Sequence, residues 1–124
     1  MERDEQKRAT VLFVDDEQRV LTSMRAMFRR EYNVLLANSG GAALEILGRE
    51  DVDVIVSDQR MPGMTGVEVL KVFKEHAPRA MRILLTGYAD QNAIAASINE
   101  GEVFRYLTKP WKDEELLQAW IPVN

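Results

Sequence analysis

The chain has 124 residues, a formal net charge of −4 and no cysteine. A chain of this length can bury the core of one domain without disulfides or a structural metal, and the missing cysteines exclude thiol chemistry and cysteine-bound zinc. The negative charge argues against a surface for nucleic acid or anionic lipid. No apolar run is long enough to span a bilayer, and the polar residues after Met1 predict no secretory signal. We therefore expect a cytoplasmic protein, with a flexible leader at 1–9, one domain at 10–121 and a short tail or linker start at 122–124.

Short apolar runs alternate along the chain with segments whose apolar residues have helical spacing. The predicted strands lie at 10–14, 32–37, 52–57, 81–85 and 103–107, and the predicted helices at 18–30, 39–47, 67–76, 90–99 and 112–120. Asn38 or Ser39 is the expected N-cap of the second helix. Strands separated by helices favour a parallel sheet with helices on both faces. The predicted fold class is α/β, a (βα)5 sandwich of three layers.

Polar side chains that could bind a ligand or react follow the strands at their carboxyl ends, where open parallel sheets bind their ligands. They are Asp15 and Asp16 after the first strand, Asp58 after the third, Thr86 after the fourth, and Lys109, which Pro110 follows, after the fifth. Clustered carboxylates repel one another unless a cation offsets their charge, and a few hard oxygen ligands suit Mg²⁺. A carboxylate can also be a nucleophile that forms an aspartyl phosphate. A metal ion, an ammonium group and a hydroxyl would stabilise the transferring phosphoryl group. The pattern therefore indicates phosphoryl transfer.

Four segments carry a resemblance to a known family: VLFVDDE, VIVSDQRMPGMTG, ILLTGYAD and FRYLTKPW. In this order and at this spacing they resemble the receiver domains of bacterial two-component response regulators, from Thr10 to Trp120. The nearest motifs are those of receivers fused to cyclic-di-GMP phosphodiesterase or transcription-activator outputs. The resemblance implies a flavodoxin-like fold whose five-stranded parallel sheet has the order 2-1-3-4-5.

The resemblance also implies a role for each acidic residue at this edge of the sheet. Asp58 is expected to be the phosphate acceptor. Asp16 is expected to bind Mg²⁺ directly, and Asp15 is expected to support the metal through water. The backbone carbonyl of Arg60 would complete the ligands that the protein provides.

The remaining family positions describe a switch. Thr86 is expected to turn its hydroxyl toward the phosphoryl group, and Lys109 to pair with Asp58 before transfer and with the phosphoryl group afterwards. The peptide bond between Lys109 and Pro110 is expected to be cis, which is uncommon enough to be testable. Tyr106 matches the aromatic residue that turns inward when Thr86 moves. Phosphorylation would then change the face formed by the fourth helix, the fifth strand and the fifth helix.

The expected partners follow from the same resemblance. A histidine kinase or a phosphotransfer protein would donate the phosphoryl group, and an effector domain in cis or a partner protein would respond. Dimerisation through the face of the fourth helix, fifth strand and fifth helix is suggested by the resemblance alone. We expect no direct binding of nucleic acid or membrane, and a phosphoacceptor rather than an enzyme.

Other interpretations of these residues remain open. The chain could be a degenerate receiver that serves only as a dimerisation or interaction module, although the intact set of acids, Thr86 and Lys109 argues against it. It could be a Mg²⁺-dependent phosphatase with an aspartyl-phosphate intermediate, but Arg60 stands where such enzymes carry a second acid. Tyr106 could be a plain strand aromatic, because it shares a face with Phe104 at the two-residue period of a strand.

Overall fold

The computed structural model describes residues 8–87, Ala95 and residues 105–108. In this part of the chain, strands and helices alternate along the sequence as far as the fourth strand. The strands are β1 (Thr10–Val14), β2 (Asn33–Ala37), β3 (Val54–Asp58), β4 (Met81–Thr86) and β5 (Arg105–Thr108), and the helices are α1 (Gln18–Phe28), α2 (Gly40–Leu47) and α3 (Gly66–His76). All neighbouring strands are parallel, in the order β2-β1-β3-β4-β5. The predicted α/β class and strand order are confirmed.

Some element bounds differ from the prediction by one or two residues. The strand predicted at 52–57 is observed as β3 at Val54–Asp58. Asp53 lies directly before it, and its Oδ2 accepts a hydrogen bond of 2.7 Å from the Thr10 N–H of β1. The predicted helices at 90–99 and 112–120 lie outside the described residues, apart from Ala95, which is helical. The strand predicted at 103–107 is described only from Arg105 onward.

Apolar side chains cover both faces of the sheet. One cluster packs α1 against the sheet through Leu21, Met24 and Phe28. The other packs α2 and α3 against the opposite face, and its buried members include Ala43, Ile46, Val69, Leu70 and Phe73. Strands β1, β3 and β4 are therefore buried almost throughout rather than at alternate residues, as expected of a parallel sheet covered on both sides. None of the described helices is long and apolar enough to cross a membrane.

Two helices begin at side-chain caps close to the carboxyl edge of the sheet. The Ser39 hydroxyl accepts a hydrogen bond of 3.1 Å from the Ala42 N–H, so Ser39 is the N-cap of α2. At the start of α3, Thr65 and Glu68 form a capping box, in which each side chain accepts a hydrogen bond from the other residue's backbone N–H. These caps fix where the two helices begin relative to the strands.

Candidate functional site

Three acidic side chains meet at the carboxyl ends of β1 and β3. One carboxylate oxygen from each of Asp15, Asp16 and Asp58 lies within 4.8 Å of the others. They meet because β1 and β3 are parallel neighbours, with Val14 paired to Ser57, so the residues at the ends of the two strands reach the same edge. The structure thus brings together the three predicted carboxylates.

The site is enclosed on one side and open on the other. Asp15 and Asp58 are only 5% and 6% exposed, whereas Asp16 is exposed. Asp15 is held by its neighbours, because its Oδ1 accepts a hydrogen bond of 2.9 Å from the Glu17 N–H and its own N–H donates to the Ala37 carbonyl. The turn after β1 is therefore fixed, and solvent or a ligand can approach the cluster from the side of Asp16.

The proximity of three carboxylates has an electrostatic cost. The carboxylate oxygens are at most 4.8 Å apart. Two unit negative charges at that distance repel by about 3 kcal/mol if the effective dielectric constant is about 20. A divalent cation would remove this repulsion, and a small set of hard oxygen donors is the kind of site that Mg²⁺ occupies. The donor set therefore fits Mg²⁺, with Asp15, Asp16 and Asp58 as the residues that would hold it.

Thr86 lies at the same edge, as the last residue of β4. Asp58 pairs with Leu85 across the β3–β4 ladder, so Thr86 is one residue beyond the partner of Asp58. The Thr86 side chain is almost completely buried, and its hydroxyl donates a hydrogen bond of 3.2 Å to the Gly87 carbonyl. The hydroxyl would have to give up this bond before it could donate to a group on Asp58.

The residue after Asp58 makes three hydrogen bonds that sequence reasoning missed. The Gln59 N–H donates to the Leu85 carbonyl, and the Gln59 carbonyl accepts from the Gly66 N–H, both at 3.0 Å. The Gln59 side-chain oxygen Oε1 accepts a further bond of 3.0 Å from the Val67 N–H. Gln59 therefore connects the end of β3 to β4 and to the first turn of α3, and no local sequence signal reports a bond across this loop.

Gly66 is a second residue that the sequence did not single out. A Cβ atom at Gly66 would overlap the carbonyl oxygen of Asp58 and would lie 2.7 Å from Leu84 Cδ1 and 3.0 Å from the Asp58 carbonyl carbon. The first residue of α3 therefore packs directly on the Asp58 peptide, which only glycine permits. The available signal was a glycine directly before the helix predicted at 67–76, since glycine allows a close approach of backbone.

The loop between β3 and α3 is also fixed on its far side. The Met64 side chain lies against Gly40, where a Cβ atom would come within 2.7 Å of Met64 Sδ. Gly63 has a φ of 82°, in the left-handed region that favours glycine. This turn lets the loop leave the acidic cluster and return to the start of α3. Arg60, whose carbonyl was predicted to bind metal, lies in this loop and has an exposed side chain.

Three further predicted positions belong to the region of β5 and the residues after it. Lys109 and Pro110 lie outside the described residues, as does the side chain of Tyr106. The backbone of Tyr106 belongs to β5 and pairs with Leu84 of β4. The roles predicted for these residues stay predictions.

Comparisons with known proteins agree on one family. Residues 11–121 match the response regulator receiver domain. HoxA of Cupriavidus necator, described as a hydrogenase transcriptional regulatory protein, is 44% identical over 113 residues, which are 91% of this chain and 23% of that protein. Among solved structures, the signal receiver domain of an HD domain-containing protein from Pseudomonas fluorescens Pf-5 is 36% identical, with a TM-score of 0.87 and 94% of both chains covered. A response regulator receiver domain protein from Clostridium thermocellum is 30% identical, with a TM-score of 0.87 and 93% of both chains covered. The chain spans less than a quarter of the length of HoxA.

Proposed function

The chain belongs to the family of response regulator receiver domains, and we propose that it is a phosphorylation switch in which Asp58 accepts the phosphoryl group. The observation that carries this proposal is the convergence of Asp15, Asp16 and Asp58 within 4.8 Å at one edge of the sheet. We further propose that the receiver occupies residues 10–121, with 1–9 as a leader and 122–124 as a tail or linker start.

In the proposed reaction, a carboxylate oxygen of Asp58 attacks the phosphorus of a phosphohistidine or of a small phosphodonor. A bond forms between that oxygen and phosphorus, and the bond from phosphorus to the donor nitrogen or oxygen breaks. The donor leaves with the electron pair of that bond and takes a proton, and Asp58 becomes an acyl phosphate. The burial of Asp58 at the end of β3 supports this role, because it limits the orientations of the carboxylate and the access of water.

The other residues would hold the charges of the reaction. Asp15, Asp16 and the carbonyl of Arg60 would hold Mg²⁺ together with Asp58, and Lys109 would pair with Asp58 and later with the phosphoryl group. When bound, Mg²⁺ supplies charge that offsets the carboxylates and the phosphoryl oxygens. The exposed Asp16 leaves a side from which a metal ion and a donor can enter.

The conformational response would start at Thr86. Its hydroxyl would exchange the Gly87 carbonyl for a phosphoryl oxygen, and Tyr106 would then turn inward. The face around β5 would report this change to an effector domain in cis, to a partner protein or to a second copy of the chain. The donor would be a histidine kinase or a phosphotransfer protein in the cytoplasm, and the domain would be a phosphoacceptor rather than an enzyme with turnover.

The test is incubation with Mg²⁺ and acetyl phosphate, followed by intact mass spectrometry. We expect one added phosphoryl group on the wild type and none on Asp58→Asn or in a metal chelator. Asp53→Asn is the matched control, since this exposed aspartate lies directly before β3, at the end of the strand away from Asp58, and accepts a hydrogen bond from Thr10. This variant should be labelled like the wild type. A protein that takes no label from acetyl phosphate or from kinases would instead be a degenerate module, and steady turnover of a phosphate ester would indicate a phosphatase.

A further inference from the structure

We propose that Gln59 is a positioning residue that holds the acceptor in register with helix α3, and that its side-chain amide is needed for fast phosphoryl transfer. This inference rests on the proposed function, because it assigns Gln59 to the chemistry of Asp58. The residue is half-buried and follows the acceptor directly in sequence.

Gln59 is held in three directions. Its N–H is bonded to the Leu85 carbonyl of β4, and its carbonyl is bonded to the Gly66 N–H. Only its third bond, which Oε1 accepts from the Val67 N–H, depends on the identity of the side chain. The Val67 N–H is one of the first-turn donors that a helix cannot satisfy itself, so Gln59 caps α3 from eight residues away.

Gln59 stands between the proposed acceptor and a proposed metal ligand. Asp58 precedes it and would supply the reacting oxygen, and Arg60 follows it and would supply a carbonyl to the metal. A residue fixed at three points therefore separates two groups whose relative position the reaction depends on. A change in the orientation of Gln59 would move both of them.

Helix α3 also contacts the acceptor itself. Gly66 lies against the Asp58 carbonyl so closely that no Cβ atom fits between them. The two bonds from Gln59 hold Gly66 and Val67 in this place. If the side-chain bond is lost, the first turn of α3 can shift, and the Asp58 peptide can shift with it.

Helix α3 has another cap, which makes the positioning role separable from stability. The Thr65 and Glu68 capping box also satisfies first-turn groups of α3, but neither residue is bonded to Gln59 or Asp58 among the hydrogen bonds that the structure describes. Thr65→Ala therefore weakens the same helix start without touching the residue next to the acceptor. It is the matched control for a change at Gln59.

The experiment compares Gln59→Met, Gln59→Glu, Thr65→Ala and the wild type in the full chain. Methionine keeps the length of glutamine but lacks the amide oxygen, whereas glutamate keeps an oxygen acceptor at the same place. The measurements are the labelling rate with acetyl phosphate at saturating Mg²⁺ and the Kd of Mg²⁺ by calorimetry, both below the melting temperature of each variant. Gln59→Asn, whose amide is one methylene too short to reach Val67, is a second variant in case Gln59→Met does not fold.

We expect Gln59→Met or Gln59→Asn to label about 10- to 100-fold more slowly, which is the effect of a small misplacement of a reacting group. Gln59→Glu should recover most of the rate, and Thr65→Ala should stay within about twofold of the wild type because it leaves the acceptor in place. A weaker Mg²⁺ affinity in Gln59→Met alone would support the same inference, because the proposed ligands flank Gln59. The inference is overturned if a folded Gln59→Met is labelled at the wild-type rate, or if Thr65→Ala slows labelling as much. A wild type that takes no label would instead refute the proposed function, so the two failures are distinguishable.

Discussion

Replacing Gly66 by alanine should destabilise the domain and displace the acceptor. The new methyl group would overlap the Asp58 carbonyl oxygen and lie only 2.7 Å from Leu84 Cδ1. Carbon atoms in comfortable contact are about 3.5–4.0 Å apart, so α3 and β3 would have to separate by roughly 1 Å. Two of the three nearest atoms belong to the Asp58 backbone, which cannot move aside like the end of a flexible side chain.

The magnitude follows from two opposing effects. Forcing an extra methyl group into a filled site costs about 1–3 kcal/mol, and the separation would also strain both hydrogen bonds between Gln59 and α3. The higher helix propensity of alanine returns at most about 1 kcal/mol. We expect a net loss of about 1–2 kcal/mol in the free energy of unfolding, and labelling of Asp58 slowed by up to about 100-fold.

Urea unfolding followed by circular dichroism measures the first quantity, and the m value should not change. Gly41→Ala is the matched control, because the nearest atom to its added Cβ is Ser39 Oγ at 4.0 Å. Alanine there should leave the stability unchanged or raise it by up to about 1 kcal/mol. A Gly66→Ala variant as stable as the wild type, or equal shifts in stability for the two alanines, would contradict a close contact at Gly66.

Three further predictions test the helix start and the acidic cluster. Thr65→Ala removes the N-cap of α3 and should lower the free energy of unfolding by about 1 kcal/mol; an unchanged urea midpoint would contradict the cap. Hydrogen bonds from the Thr65 backbone and hydroxyl lower the pKa of Glu68 below its ordinary value of 4.5. The ionised Glu68 carboxylate should therefore stabilise the fold fully above the ordinary pKa, and this stabilisation should be lost as the pH falls through the lower pKa of the folded state. The stability difference between the wild type and Glu68→Gln should therefore shrink in acid, and a difference that is independent of pH would refute the bond. Mg²⁺ at about 100 times its Kd should stabilise the wild type by about 2.7 kcal/mol, and Asp16→Asn should lose most of that gain in thermal unfolding; equal stabilisation of both proteins would remove Asp16 from the metal site.

The acidic cluster could be predicted from sequence because it depends on topology. Each apolar run ends at a polar residue, and parallel strands carry those ends to one edge regardless of the details of packing. Asp15 and Asp58 need only the adjacency of β1 and β3 to meet, and the sheet provides it. The sequence resemblance then assigned chemical roles that the geometry by itself does not assign.

The supports of the site could be predicted less completely. The spacing of Thr65 and Glu68 is that of a capping box, and this local signal could have been used. The bond from Gln59 to Val67 depends on the path of the intervening loop, which passes through the left-handed Gly63. The close approach of Gly66 to Asp58 depends on how α3 sits on the sheet. Contacts of this kind join residues through tertiary packing, so no periodic pattern in the sequence reports them.

The contrast between Gln59 and Thr86 bears on how such a switch could work. Gln59 is held at three points beside the acceptor, whereas the hydroxyl of Thr86 donates to a carbonyl of the adjacent residue at 3.2 Å. A neutral hydrogen bond contributes about 0.5–1.5 kcal/mol and one to a charged group about 1.5–3 kcal/mol. Exchanging the Gly87 carbonyl for a phosphoryl oxygen would thus favour the rotated hydroxyl by about 1–2 kcal/mol, a shift of roughly 5- to 30-fold in population. Moving an equilibrium from 1:99 to 99:1 takes about 5.5 kcal/mol. For a transition of that size, the predicted rotation of Thr86 would not be enough, and the phosphoryl group would need further differential contacts, for which the predicted partner is Lys109.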